Sequence, residues 1–247
     1  MEKEFKDNYY QFVKDQYNID FLTNGFWQEE YCRLLNDLFC EYAKDPLLTP
    51  IDDTCTFLDV GCACGLIPYN MKKNYSDIFK TIIGVDLSND MISKGRKFFN
   101  MSSDELMVEN IVEGLKNIKD NSVDFLHCSQ VLEHLPKDKS NFVISEFKRV
   151  LKKDGLMFLS YVAGKNSNEV KKIKEENSDP THINIQTTNF WDKIFKQQKF
   201  IRHYCSSVFF QKHDAKPSKN GENNFYKEYV QKTLGGWTVA ILVNNNY

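Results

Sequence analysis

The chain has 247 residues, 41% of them hydrophobic and 27% charged, with a formal net charge of −2. That length fits one α/β domain with additions and a sizeable core, and the near-neutral balance speaks against a polyanionic partner such as nucleic acid. No apolar run reaches the roughly 18 residues of a membrane span, and the charged start Met1-Glu2-Lys3-Glu4 does not read as a signal peptide. The seven cysteines are odd in number and scattered, several inside apolar segments (Cys40, Cys55, Cys128, Cys205). They read as reduced thiols of a cytoplasmic protein rather than as a disulfide framework. Cys62-x-Cys64 has neither a second thiol pair nor a nearby histidine, so no metal is expected there.

Residues 1–25 are aromatic-rich and irregular, with Tyr9, Tyr10, Phe12, Tyr17 and Phe21. From Phe26 to Tyr42 apolar residues recur at helical spacing, and Asp45-Pro46 stops that helix. The apolar run ending Phe57-Leu58-Asp59-Val60 is a buried strand. Further strands are expected over 80–85, 105–108, 123–128 and 156–162, separated by helices over 66–73, 89–99 and 139–151. Ser88 is a plausible N-cap. Such alternation predicts a doubly wound, mostly parallel Rossmann-like sheet with helices on both faces. A helix over 187–197, a strand over 200–210, a Pro/Ser/Lys/Asn/Gly loop and a last strand over 237–243 predict an antiparallel C-terminal strand and seven strands in all. The whole reads as one domain: a helical cap or lid over 1–50, a cofactor-binding core over 51–165, and substrate-side loops and late strands over 166–247.

The turn Gly61-Cys62-Ala63-Cys64-Gly65 after the first strand is the strongest signal, because small residues let a backbone approach a ligand. A dinucleotide fold needs Gly-x-Gly-x-x-Gly. Here the last small residue arrives one position early, and Leu66 holds its slot. There is no phosphate-cradling P-loop either. Asp59 before the turn suits a cationic or amine-bearing ligand. Asp86 ends the second strand 21 residues after Gly65, where a carboxylate can accept from both hydroxyls of a ribose.

Around these residues the chain resembles the class I S-adenosylmethionine-dependent methyltransferases, of the small-molecule type related to quinone methyltransferases. The resemblance covers roughly 55–165. It rests on Leu58-Asp59-Val60-Gly61-Cys62-x-Cys64-Gly65, Gly84-Val85-Asp86-Leu87-Ser88, Asp120-Asn121-Ser122-Val123-Asp124-Phe125, Val131-Leu132-Glu133-His134-Leu135 and Glu146-x-x-Arg149-Val150-Leu151-Lys152-x-Asp154-Gly155. It implies S-adenosyl-L-methionine as cofactor and S-adenosyl-L-homocysteine as product. It places Asp59 and the Gly61, Cys62, Ala63 and Gly65 turn at the methionine moiety, Asp86 at the ribose, and Leu87 on the adenine. The adenine amine would meet Asn110, followed by Ile111, with Glu109 the alternative, because the family's usual Asp is missing there. Ala63 in place of the usual Gly is a second departure.

In-line transfer from a sulfonium asks the protein mainly to position and desolvate. An alcohol acceptor usually needs a base as well, and that base should lie above the strand carboxyl ends. Ser129 and Gln130 follow the fourth strand and should face cofactor or substrate. His134 is expected one helical turn after Gln130, on the same face. It is either a base or substrate ligand, or, as its neighbour Glu133 favours, a locally bonded helix histidine. His182 lies in Asp179-Pro180-Thr181-His182-Ile183-Asn184 and is either a substrate or base residue or a loop brace. A similar Pro-Thr-His segment occurs in some bacterial surface-glycan methyltransferases. His127, inside an apolar strand, reads as structural. The N-terminal aromatics are a lid or core filler, and the loop over 212–235 is long enough to cover a substrate.

The leading expectation is therefore an enzyme that methylates a hydroxyl of a sugar or sugar-linked small molecule in surface polysaccharide biosynthesis. A quinone or lipid-precursor methyltransferase is the alternative. A non-catalytic S-adenosylmethionine-binding protein is the alternative of another class. A nucleic-acid substrate is not expected, since the base-methylation motif Asn/Asp-Pro-Pro-aromatic is absent.

Overall fold

The computed structural model describes residues 27–43, 54–177, 179–206 and 238–244. The aromatic N-terminal segment over 1–25, the Asp45-Pro46 stop and the 212–235 loop lie outside them. Helix α1 (Trp27–Ala43) precedes β1 (Cys55–Val60), α2 (Leu66–Tyr75), β2 (Phe79–Asp86), α3 (Asn89–Phe99), β3 (Leu106–Val108) and β4 (Val123–Ser129). Then come α4 (Ser140–Val150), β5 (Leu151–Tyr161), a short β6 (Ala163–Gly164), α5 (Ser167–Glu176), β7 (Gln186–Thr187), α6 (Thr188–Gln197), β8 (Phe200–Ser206) and β9 (Thr238–Asn244). Seven strands form one sheet in the order β3-β2-β1-β4-β5-β9-β8. All neighbours pair in parallel until β9, which runs antiparallel to both β5 and β8. This is the expected Rossmann-like sheet.

Strand alternation sorts the core into two layers. Leu58 and Val60, Leu126 and Cys128, Met157 and Leu159, and Ala240 and Leu242 face α4 and α6, where Val143, Ile144, Phe147, Trp191 and Phe195 meet them. The opposite set, Phe57, Phe125, Phe158, Val239 and Ile241, faces α1 through Tyr31, Leu34, Leu35, Leu38 and Phe39. Phe39 lies 4.8 Å from Phe79 and 5.4 Å from Phe125 between ring centroids, which docks α1 on the sheet. Each such aromatic pair adds about 0.5–1.5 kcal/mol beyond the area it buries.

Several boundaries differ from the sequence reading. β5 begins at Leu151 rather than at 156, because the chain leaves α4 directly into the sheet. Its register to β4 slips between Val123 and Phe125, opposite the left-handed Asp154 (φ 61°). Helix α5, capped by Asn166 accepting from the amides of Asn168 and Glu169, was not foreseen, nor was the small β6–β7 pair. Ser88 does cap α3, its hydroxyl accepting from the Met91 amide at 3.3 Å. The motif Glu146-x-x-Arg149 is structural. The Arg149 guanidinium donates to Glu146, Asp120 and the carbonyls of Leu115 and Ile118, tying α4 to the loop before β4.

Helix α3 approaches the turn after β1 so closely that a Cβ on Gly95 would lie 1.9 Å from the Cys64 carbonyl oxygen. Gly95→Ala should therefore cost about 1–3 kcal/mol, the usual toll of overpacking, read as a lowered urea midpoint. A midpoint equal to the parent's would show that α3 can back away from the turn.

Candidate active site

In this strand order the sheet reverses direction of growth between β1 and β4, and the crevice outside their carboxyl ends is where open α/β sheets take ligands. Two turns meet there: residues 61–65 after β1, and residues 130–134 after β4. They touch directly, since a Cβ on Gly61 would lie 2.2 Å from Val131 Cγ2. A Cβ on Gly65 would likewise run into Leu106, at 2.4 Å. Gly61 (φ 78°), Ala63 (φ 51°) and Gly65 (φ 81°) all have left-handed backbone, which costs an L-residue such as Ala63 about 1–2 kcal/mol. The glycines are thus required by this conformation and by Val131 and Leu106. The space a side chain would need is filled by protein, not reserved for a ligand.

Asp59 and Asp86 stand at the tips of adjacent strands and are both buried. Asp86 Oδ2 accepts from the Ala63 amide at 2.9 Å, and Oδ1 accepts from the Ser88 amide at 2.8 Å. Burial pushes its pKa up to about 6, the amides of Ser88 and Ala63 oppose that rise, and the charge of Asp59 adds to it. Asp59 is the cross-strand neighbour of His127. Its Oδ1 accepts from His127 Nδ1–H at 2.6 Å. This fixes the tautomer in which Nε2 accepts from the Tyr31 hydroxyl at 2.7 Å. Ser129 is a second hydrogen-bond partner of that hydroxyl, and Ser129 and Ser160 share a hydrogen bond of 2.5 Å. His127, read from the sequence as merely structural, therefore links the acidic strand tip to helix α1. The signal was available: one polar residue in an apolar strand, of the same parity as Phe125 and beside the strand of Asp59.

The remaining cofactor candidates are spread around this centre. The Cys62 and Cys64 side chains are buried in different apolar clusters, Cys62 with Ile92, Met101 and Leu106, and Cys64 with Met91. Burial raises the thiol of Cys62 well above its ordinary value and that of Cys64 to about 11, so both stay protonated. The Asn110 side chain is engaged locally. Its Oδ1 accepts from the Val112 amide and its Nδ2 donates to Glu113, capping the turn that begins at Ile111. Glu109 is buried, and its Oε1 accepts from both the backbone and side-chain nitrogens of Asn117. Leu87 follows Asp86 at the strand tip, half-buried.

After β4, the expected helical face shared by Gln130 and His134 does not form. Gln130 is left-handed (φ 56°), its amide donating to the Ser160 carbonyl, and Leu132–His134 is a single 3₁₀ turn. His134 meets His182 instead, their ring centroids 4.7 Å apart. The Asp179–Asn184 segment is stapled onto the turn by Asn184. Its amide donates to the Glu133 carbonyl, and its Nδ2 donates to the Leu132 carbonyl and to Ser140 Oγ. Thr181 Oγ1 donates to Asp179 Oδ1 at 2.5 Å and so accepts from His134 Nδ1–H at 2.8 Å. Asp179 Oδ2 lies 3.4 Å from His182 Nε2. Burial, then the neighbouring His182, lowers His134 to about 4, and burial lowers His182, so both rings are neutral at pH 7.

Glu133, adjacent to both rings, is 0% exposed, and among the described residues neither carboxylate oxygen has a hydrogen-bond partner. Burial, with Asp179 nearby, raises it to about 8. Gln130 Nε2 is also buried and has no acceptor among the described residues. Sequence reasoning singled out the two histidines but missed Glu133, Asp179 and Thr181, whose Asp-x-Thr spacing is a turn signal.

Residues 58–159 match the family model described as a methyltransferase domain. Over 102 residues the chain is 28% identical to the carboxy-S-adenosyl-L-methionine synthase of Actinobacillus succinogenes, covering 41% of this chain and 42% of that protein. Over 110 residues it is 27% identical to the ubiquinone biosynthesis O-methyltransferase of Glaesserella parasuis, covering 42% and 44%. The matches thus span about two-fifths of the length of these curated relatives. A crystal structure of a candidate sarcosine dimethylglycine methyltransferase from Galdieria sulphuraria superposes with a TM-score of 0.61 over 87% of this chain and 86% of the other, at 13% identity, which supports the fold.

The raised pKa of Asp86 has a consequence for the ligand-free protein. A carboxyl with a folded pKa above its unfolded value stabilises the fold fully below the unfolded value, and that stability is lost as pH rises through the folded value. Between pH 5 and 7 Asp86 should therefore withdraw about 1 kcal/mol. In Asp86→Asn the pH 5 to 7 loss, measured by urea denaturation, should shrink by that amount. Identical slopes would place the pKa of Asp86 elsewhere.

Proposed function

We propose, from the match of residues 58–159 to the methyltransferase-domain model, that this protein is a class I S-adenosyl-L-methionine-dependent methyltransferase and transfers that cofactor's methyl group to a hydroxyl of a small-molecule acceptor. The observation that carries the reading is the pair of buried carboxylates, Asp59 and Asp86, flanking a left-handed turn at the sheet's switch point. A pyrophosphate would face two negative charges there, whereas a sulfonium and an amino group would be attracted. Asp86 has spent one acceptor site per oxygen on backbone amides, so each oxygen keeps capacity for a ribose hydroxyl. Asp59, braced by His127, would hold the amino end, and Leu87 and the 109–111 segment would border the adenine.

The cofactor, when bound, supplies an electrophilic methyl group on a sulfonium. The chain's own residues do the positioning. Ser129 and Gln130 lead from the donor side to the acceptor side, and the buried Gln130 Nε2 is a donor suited to an acceptor oxygen. Glu133, His134, Asp179, Thr181 and His182 form the polar wall on which a hydroxyl would be received, with His134 and His182 the catalytic candidates. A sugar hydroxyl in surface polysaccharide biosynthesis is the acceptor favoured by this polar wall. The match to a ubiquinone biosynthesis O-methyltransferase favours a second reading, a quinol hydroxyl.

Isothermal titration with S-adenosyl-L-methionine and S-adenosyl-L-homocysteine should show binding that Asp86→Ala weakens about 10–100-fold, the value of charged hydrogen bonds. Since the ionised carboxylate is the acceptor, affinity should fall as pH drops through about 6. Turnover is then measured on nucleotide sugars and on catechols, and His182→Ala should lower it without changing cofactor affinity. An Asp86→Ala protein that binds like the parent would refute the ribose assignment. Methylation of catechols alone would favour the quinol reading.

A further inference from the structure

Glu133, His134 and His182 each offer a ligating atom, and these atoms all lie within 4.8 Å of one another. We propose that this trio is a binding site for one first-row divalent cation of the zinc class, its open face directed at the acceptor hydroxyl. The inference rests on the methyl-transfer reading only for what that open face receives.

The first support is the buried carboxylate. A fully buried Glu133 whose two oxygens have no hydrogen-bond partner among the described residues leaves a desolvation cost uncompensated, and a nearby cation would offset it. The amides of Val162 and of Glu133 itself face the carboxylate without completing a hydrogen bond. The second is the orientation of the ring beside it. Thr181 accepts from His134 Nδ1–H and passes its own hydroxyl proton toward Asp179, which leaves Nε2 as the nitrogen carrying the lone pair. An imidazole whose second nitrogen donates to an outer partner is the usual arrangement of a metal-ligating histidine. The same Asp179 lies against His182. Third, the two ligand-bearing pieces are rigidly joined, because Asn184 bonds the backbone of the 132–134 turn.

The donor set decides the chemistry. Two imidazoles and one carboxylate suit zinc or its first-row neighbours, and three protein ligands leave one position for an exogenous oxygen. Zinc bond lengths of about 2.0–2.1 Å put tetrahedral ligand atoms roughly 3.4 Å apart, so atoms within 4.8 Å of one another need a contraction of at most about 1.4 Å. The Cys62-x-Cys64 pair is the poorer site, because its thiols sit in separate apolar clusters. A hydroxyl bound at the open position would have its O–H acidified, the service a metal gives a bound water.

The test uses the full chain, dialysed against a chelator and then titrated with Zn²⁺ by calorimetry and with Co²⁺ by visible absorption. One ion per chain is expected, with a cobalt spectrum of nitrogen and oxygen ligands and a raised thermal midpoint. Glu133→Gln and His182→Ala should each weaken binding by more than the roughly 10–100-fold that loss of an outer partner costs, and Thr181→Val by an amount within that range. Cys62→Ser/Cys64→Ser should bind like the parent. The proposal is overturned by no Zn²⁺ binding in the parent, by undiminished binding in the Glu133 and His182 variants, or by a sulfur charge-transfer band lost in the thiol variant. Should a variant fail to fold, the parent's stoichiometry and cobalt spectrum decide. Binding of S-adenosyl-L-methionine to the chelated protein is measured in parallel. Its loss would count against the methyl-donor reading, not against the ion.

Discussion

Negative charge kept dry at the ends of two neighbouring strands is the constraint around which this molecule is arranged. Asp59 and Asp86 are held where water is scarce, and neither is matched by a lysine or arginine among the described residues. Backbone amides and one imidazole carry the stabilisation instead. One of those partners, the Ala63 amide, is supplied because the chain after β1 bends back sharply, which is what the left-handed Gly61, Ala63 and Gly65 accomplish. The bend in turn requires Val131 and Leu106 to fill the glycine hollows and α3 to present Gly95. The proposed donor side of the site is the outcome of this chain of requirements.

The proposed acceptor side follows a different logic. It is assembled from a 3₁₀ turn and from a segment almost fifty residues later in the chain, brought together by hydrogen bonds rather than by strand register. Its groups are titratable and partly unsatisfied. The donor half is a pre-satisfied seat, while the acceptor half holds polar groups in search of partners. That division suits an enzyme whose electrophile arrives already activated and whose nucleophile must be coaxed.

The sheet, most helix limits and the strand-tip carboxylates were legible in the sequence because each is local: alternation, caps, small residues in a turn. What escaped was non-local or parity-dependent. His127 looked like filler until the register placed it beside Asp59 and under Tyr31. His134 looked like the continuation of a helix, but nothing in a single sequence shows that Gln130 adopts a left-handed backbone and breaks the periodicity. The reason for the glycines is non-local too. Their spacing suggested room for a ligand, and the room proves to be occupied by Val131 and Leu106. Helix α5 is strongly polar and carries no apolar stripe deep enough to be noticed, and none of its residues is buried.

Asn184 has a further significance for how such a protein can change over generations. One buried side chain and its own amide fasten the segment between β5 and α6 to the turn after β4. A segment fastened at a few points, here Asn184, the Thr181–His134 hydrogen bond and the short β6–β7 pairing, can be re-lettered between them while the sheet and the Asp59–Asp86 pair stay untouched. On the proposed methyl-transfer reading, the fold thus separates the carboxylate seat from the segment that would meet the acceptor, so the second could vary without rebuilding the first.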